Sequence, residues 1–180
     1  ISIENLEPGH YYLKETSSPS GYFLNEDKIE FDIDGKKTKD GGSLKIETID
    51  EKIPEIGTTA TDNETGKKRI NPTENIEIKD KVKYKDLVIG KTYTIKGKLM
   101  FKDTEKPVLV EGKEVTAEKT FIPKQRNGEE ELIFSVPGEI LRGKETVVFE
   151  KLYREKREVT SHEDIFDEGQ TTTTVNPEIG

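Results

Sequence analysis

The sequence predicts an all-β protein, a sandwich or barrel of short strands, and three observations carry that expectation. Among 180 residues there are two Ala against eighteen Ile and nineteen Thr. Ala is the best helix former, whereas Ile and Thr suit a pleated sheet. Apolar and polar residues alternate with period two along several stretches, the mark of a half-buried strand. Turn residues separate these stretches at the short spacing typical of sandwiches and barrels. A helical bundle is excluded.

Taken in order, the first block offers strands at Ile1–Leu6, His10–Thr16, Lys28–Ile33 and Ser43–Ile49. His10 reads as a turn residue and Asp32-Ile33-Asp34-Gly35 as a hairpin turn. The block is too short to bury a good core alone, and reads as the later part of a domain whose earlier strands lie upstream of Ile1. Beyond Pro54, Ile56, Thr58 and Ala60 alternate onto one face of a strand, with Thr59 and Thr61 on the other. Ile76, Ile78, Asp80, Val82 and Tyr84 share a face of the next, opposite Asn75, Glu77, Lys79, Lys81 and Lys83. Turn chemistry at Asp86 to Gly90 precedes the strand Tyr93–Phe101. Further strands are expected at Val108–Val110, Val115–Ile122, Glu130–Val136, Thr146–Tyr153, Glu158–Thr160 and Thr171–Val175, with a short helical turn within Pro137 to Gly143.

Pro-Glu-Ile-Gly occurs twice, from Pro54 and from Pro177, 123 positions apart. Both copies fall at expected linkers, which favours a tandem array over chance recurrence. The expected organisation is a first domain over 1–52, a second over 53–176, and the opening of another repeat at 177–180.

Composition narrows the function. Leu, Ile, Val and Phe number 45 of 180, enough for a folded chain despite 37 acidic and 29 basic residues. The net charge of −8 disfavours binding nucleic acid through its phosphates. No apolar run is long enough to span a bilayer, so no membrane insertion is expected. The chain opens at Ile1 without Met or an apolar leader and reads as a mature or excised piece. With no Cys, disulfides, thiolate metal sites and Cys nucleophiles are excluded. An extracellular chain of this kind must rely on packing, a metal, or a cross-link without sulfur.

Two acids stand out. Asp80 lies in the middle of an apolar strand face, and Glu150 shares its face with Val148 and Leu152. A buried carboxylate is costly, so it shifts its pKa upward, pairs, or binds metal. Two carboxyls brought together can share a proton, while an ordinary salt bridge to one of the many Lys is the plainer alternative. His162 lies in a loop, Ser161 to Gln170, that leads into the last strand. A metal site there would recruit His162, Asp164 and Asp167. That spacing is no zinc pattern and lacks the glycine and terminal glutamate of a calcium loop, so neither metal nor cofactor is expected. Gln170, one of two Gln, stands at the start of the final strand. Thr58 is the inward hydroxyl of the first, which as a mere β-former would need no other role.

Together Ile56-Gly57-Thr58-Thr59-Ala60, Lys79-Asp80, Val147-Val148-Phe149-Glu150, and His162-Glu163-Asp164 through Asp167-Glu168-Gly169-Gln170-Thr171 resemble the Thr–Gln ester-bond domains (VaFE repeats) of Gram-positive surface adhesins. The four motifs stand in the family's order from Pro54 to about Asn176. The resemblance implies an immunoglobulin-like or prealbumin-like β-sandwich in which Thr58 attacks Gln170, forming an intramolecular ester and releasing ammonia. His162 would take and later deliver the proton, and Asp80 with Glu150 would polarise or protonate the Gln170 carbonyl. Thr59 offers the same hydroxyl beside Thr58; alternation favours Thr58. Such a bridge closes a loop for which the chain-entropy argument gives roughly 4–5 kcal/mol, and it lets pulling force bypass the sheet.

Leu6-Glu7-Pro8-Gly9-His10-Tyr11-Tyr12-Leu13-Lys14-Glu15-Thr16, followed by Pro19-Ser20-Gly21-Tyr22, resembles the late strands of collagen-adhesin B-type (prealbumin-like) domains. There the matching glutamate, here Glu15, catalyses a Lys–Asn or Lys–Asp isopeptide bond. Asp50 sits about where the acceptor belongs, and the lysine should come from an early strand that this chain does not contain. The implied function is a stalk segment of a cell-wall-anchored, extracellular adhesin or pilus-like protein, flanked by neighbouring modules. A host ligand would be bound through other domains. The alternatives are a module whose loops bind a host protein or glycan, and a hydrolase using Thr58, His162 and an acid. An enzyme would keep Thr58 free and open to solvent, whereas a cross-link consumes it.

Overall fold

The structure is a computed structural model that describes residues 3–34 and 44–176. The expected repeat opening at 177–180, the first two residues of the Ile1–Leu6 strand, Gly35 of the hairpin turn and Ser43 lie outside the described residues. The chain divides into two compact units, Ile1–Ile53 and Pro54–Gly180.

In the first unit β1 (Gly9–Leu13) and β2 (Ile29–Ile33) pair antiparallel, with Tyr11 opposite Phe31 and their rings stacked at 5.7 Å. The segment after Pro19 is tied to the segment before Pro54: Phe23 N donates to Glu51 O and Ile53 N to Gly21 O, both at 2.8 Å. The expected strands at Ile1–Leu6 and Ser43–Ile49 do not form among the described residues. A strand needs a hydrogen-bonded neighbour and a surface for its apolar face. Ile3 and Ile49 are 56% and 92% exposed, so alternation there has nothing to bury against.

The second unit begins with β3 (Glu55–Asp62), β4 (Arg69–Ile70), β5 (Asn75–Lys85) and β6 (Tyr93–Phe101). Then come β7 (Lys106–Pro107), β8 (Leu109–Val110), β9 (Lys113–Glu114), β10 (Thr116–Phe121) and β11 (Gly128–Pro137). A four-residue helix α1 (Gly138–Leu141) leads to β12 (Glu145–Arg154), β13 (Arg157–His162) and β14 (Thr171–Thr174). One sheet runs β11-β5-β3, and the other runs β10-β6-β12-β14-β4, with β13 added to β12 and β7 to β6. The short β4, which runs parallel to β14, has no signal in the sequence.

Alternation places the core between these sheets. Ile78, Val82, Leu132 and Phe134 from the smaller sheet and Ile95, Leu99, Val148 and Leu152 from the larger are all at most 2% exposed. Gly97 of β6 shows how closely the layers meet. A Cβ at that position would stand 2.6 Å from Phe134 and 2.8 Å from Leu132, both on β11, so only glycine leaves room for them. The first strand β3 lies at the edge of the smaller sheet, and the last strand β14 lies in the larger one.

Candidate functional site

The register converges the polar exceptions of the core on one place. Asp80 stands opposite Ala60 on the neighbouring β3 and Leu132 on β11. Glu150 stands opposite Gly97 on one side and His162 on the other. Gln170 directly precedes β14, and its carbonyl accepts from Val148 N at 3.3 Å. Ala60 N donates to Gly169 O at 3.0 Å, which draws the Gln170 loop onto β3. Asp80, Glu150 and Gln170 are completely buried, and Thr58 is 9% exposed. Thr59 points outward and is exposed.

Glu150 Oε2 accepts a hydrogen bond from Gln170 Nε2. The contact is thus to the amide nitrogen, whereas the sequence reading pairs the acids with the carbonyl; Gln170 Oε1 has no donor. His162 Nε2 meets Asp167 Oδ2 at 3.0 Å, and Asp167 Oδ1 accepts from Gly169 N at 2.6 Å. A carboxylate only accepts, so Nε2 carries a proton toward Asp167, and Nδ1 is the ring nitrogen left facing the interior. Asp167 therefore orients His162 and shapes the turn before Gln170.

Buried polar atoms are almost always partnered in folded proteins. Among the described residues seven buried side-chain atoms are not: Thr58 Oγ1, both Asp80 oxygens, Glu150 Oε1, His162 Nδ1, Gln170 Oε1 and Thr174 Oγ1. All but the last belong to this cluster. Burial pushes Asp80 up to about 6, partly offset by Glu150 and by the Lys68 charge. Burial, then the neighbouring Asp80, pushes Glu150 up to about 11. The pair therefore holds a proton at neutral pH, shared between the two carboxyls. That proton is the donor which the orphaned carboxyl oxygens lack, and turning the Gln170 amide over would offer it Oε1.

Two residues missed by sequence reasoning also grip the loop. Lys68 Nζ donates to Gly169 O. Lys102 Nζ reaches Glu168 Oε1 at 2.8 Å and Thr171 Oγ1 at 3.4 Å. Among 29 basic residues neither carries a distinguishing signal. Glu15 and Asp50 belong to the first unit. Both are half-buried, and Glu15 Oε2 accepts from Asn25 N at 2.6 Å. His10 lies within β1 rather than in a turn and meets Asp32 across the pair at 2.7 Å, exposed to solvent.

A sandwich that buries a hydroxyl, a carboxamide and a proton-sharing acid pair, with a partly exposed imidazole at their edge, has the parts for one acyl transfer within itself. Residues 54–174 match the family described as T-Q ester bond containing domain, and the chain belongs to that family. Residues 1–52 match a prealbumin-like fold domain. Two solved structures of a bacterial adhesin from Mobiluncus mulieris, containing intramolecular disulfide, isopeptide and ester bond cross-links, resemble it. They are 22% and 21% identical, with TM-scores of 0.56 and 0.57, over 67% and 68% of this chain. The chain spans 56% and 58% of those structures, and at this identity the likeness is one of fold. The major pilin subunit of Bacillus cereus is 20% identical over 97% of this chain and 57% of its own, with a TM-score of 0.47, too loose a likeness to argue from. No curated protein matches the chain.

Proposed function

We propose that the second unit is a self-cross-linking structural module in which Thr58 and Gln170 join as an intramolecular ester. The carrying observation is that six of the seven unpartnered buried atoms belong to Thr58, Asp80, Glu150, His162 and Gln170. Such a set is costly to bury, and its gathering around one hydroxyl and one carboxamide is what a catalytic role accounts for. His162 Nδ1 accepts the Thr58 hydroxyl proton as Oγ1 attacks the Gln170 Cδ. The Asp80–Glu150 pair donates to the carbonyl oxygen as negative charge develops there. On collapse the C–N bond breaks, and His162 returns its proton to the departing nitrogen. Thr58 and Gln170 leave as an ester plus one ammonia, so atoms and protons balance. The reaction turns over once and consumes its own nucleophile. Solvent is held off by the packed layers, which also protects the ester from hydrolysis.

Around this module, the chain is a stalk segment of an extracellular adhesin or pilus-like protein anchored to a Gram-positive cell wall. Its partners are neighbouring modules, with domains over 1–52 and 53–176 and a further repeat opening at 177–180. In the first domain Glu15 acts as the catalytic acid of an isopeptide bond with Asp50 as acceptor; the lysine is not assigned. The test is the intact mass of the purified, denatured protein beside Thr58→Ala and Gln170→Ala. The wild type should be lighter by one ammonia, both variants should not, and hydroxylamine should open the wild-type bond. A full, unmodified wild-type mass sinks the proposal.

A further inference from the structure

We propose that Lys68 is a positioning residue of the ester reaction: it fixes the peptide that carries Gln170 and sets a cation against the buried acid pair. The inference rests on the reading just given and deepens it.

The backbone of Lys68 is held from both sides. Its carbonyl accepts from Thr173 N on β14 at 2.9 Å, and the preceding Lys67 carbonyl accepts from Asp62 N on β3 at 2.8 Å. The side chain is therefore aimed from a fixed base, and the half-buried ammonium donates to Gly169 O. That oxygen also accepts from Ala60 N, so both of its lone pairs are used. The peptide between Gly169 and Gln170 is gripped from β3 and from Lys68 at once. A carbonyl carbon must stand within a few tenths of an ångström of its attack position, and misplacement is costly in rate. A doubly held peptide one bond from the Gln170 Cα fixes the base from which the side chain reaches that position.

The charge has a second use. The acids facing Lys68 are Asp80 from β5 and Asp167 and Glu168 from the loop, and they favour its charged form against the pull of burial. Asp80 in turn faces Glu150 from β12 and His162 from β13 as well as Lys68, and the Lys68 cation lowers its pKa. Between two carboxyls sharing one proton, a cation that favours the ionised form of one biases the proton toward the other. The Lys68 charge thus biases Asp80 toward the anion and the proton toward Glu150, the carboxyl that touches the Gln170 amide. A mere surface lysine would do neither, and Lys67, exposed beside it, is the natural control.

The experiment follows ester closure in time. Freshly synthesised chain is isolated in denaturant before the bond closes, diluted into buffers across a range of pH, quenched in acid, and weighed intact. Far-UV circular dichroism reports the folding of each variant. The wild type loses one ammonia. Lys68→Met should form the same ester about ten- to a hundredfold more slowly, with the rising acid limb of its rate profile moved to higher pH. Lys68→Arg should restore the limb and much of the rate, and Lys67→Met should match the wild type. Should Lys68→Met fail to fold, Lys68→Gln against Lys68→Arg makes the same comparison. Rates and profiles of the neutral variants that coincide with wild type overturn the inference alone, as does an arginine no better than methionine. A wild type that never loses ammonia overturns the ester reading, and this inference with it.

Discussion

Glu15 and Glu150 each share a strand-like face with apolar neighbours in sequence, yet the two environments differ in kind. Glu15 is half-buried and takes a backbone amide from Asn25 at 2.6 Å. Its carboxyl keeps contact with solvent while one oxygen is hydrogen-bonded. Glu150 is completely buried, faces a second carboxyl, and leaves Oε1 without a donor. Among the described residues the first unit presents a single pair of five-residue strands; the second packs one sheet over another. Alternation fixes the face on which a carboxyl lies. The layer above it decides whether that carboxyl is sealed from solvent.

The sharpest break in this contrast is chemical. Glu150→Gln removes the shared proton and should slow ester closure by a factor of about a hundred or more, read as the full unmodified mass. Glu15→Gln should leave the ammonia loss of the second unit complete. Equal effects of the two substitutions would end the contrast.

Next in size is the thermodynamic effect of the bond. Thr58→Ala should lose roughly 4–5 kcal/mol relative to the cross-linked protein, measured by denaturant unfolding. The uncross-linked variant should also show the acid pair directly. Folding raises Asp80 from 3.8 to about 6 and Glu150 from 4.5 to about 11, so the folded state binds protons that the unfolded state has released. The pair's contribution to stability is therefore greatest below pH about 4, falls as pH rises through Asp80's window, and continues to fall toward about 11. Adding Glu150→Gln should flatten most of that slope.

A smaller effect concerns the layer itself. Gly97→Ala drives a methyl into Phe134 and Leu132, and overpacking of this kind costs about 1–3 kcal/mol. Thermal unfolding of the Thr58→Ala background measures it without interference from the bond. Least of all should be His10→Ala. The His10–Asp32 pair is exposed, so its loss should leave the melting temperature unchanged, whereas His162→Ala should slow the ester.

Much of the second unit was legible because its strands are long and one-sided. The alternation through Asp80 and Glu150 named the buried acids, and the same rule picked Thr58 over the exposed Thr59. Gln170 escaped it, since the residue sits in a turn where no period applies; only the resemblance reached it. Lys68 was illegible for a different reason. Its partner is a backbone carbonyl, which every residue carries, so no side-chain pattern reports the pair. In the first unit the failure ran the other way. Ile3 and Ile49 had the right spacing but no facing surface, and period two without burial made no strand.

One consequence follows from where the bond falls. Thr58 stands on the edge strand of one sheet and Gln170 at the start of a strand in the other, so the proposed ester would make residues 58 to 170 a closed ring. Were the unit to melt under tension, those 112 steps of chain could not pay out. At an extended rise of about 3.4 Å each they represent about 380 Å of contour length. A stalk of such modules is a tether of nearly constant reach, whose length is set by its count of modules rather than by the force upon it.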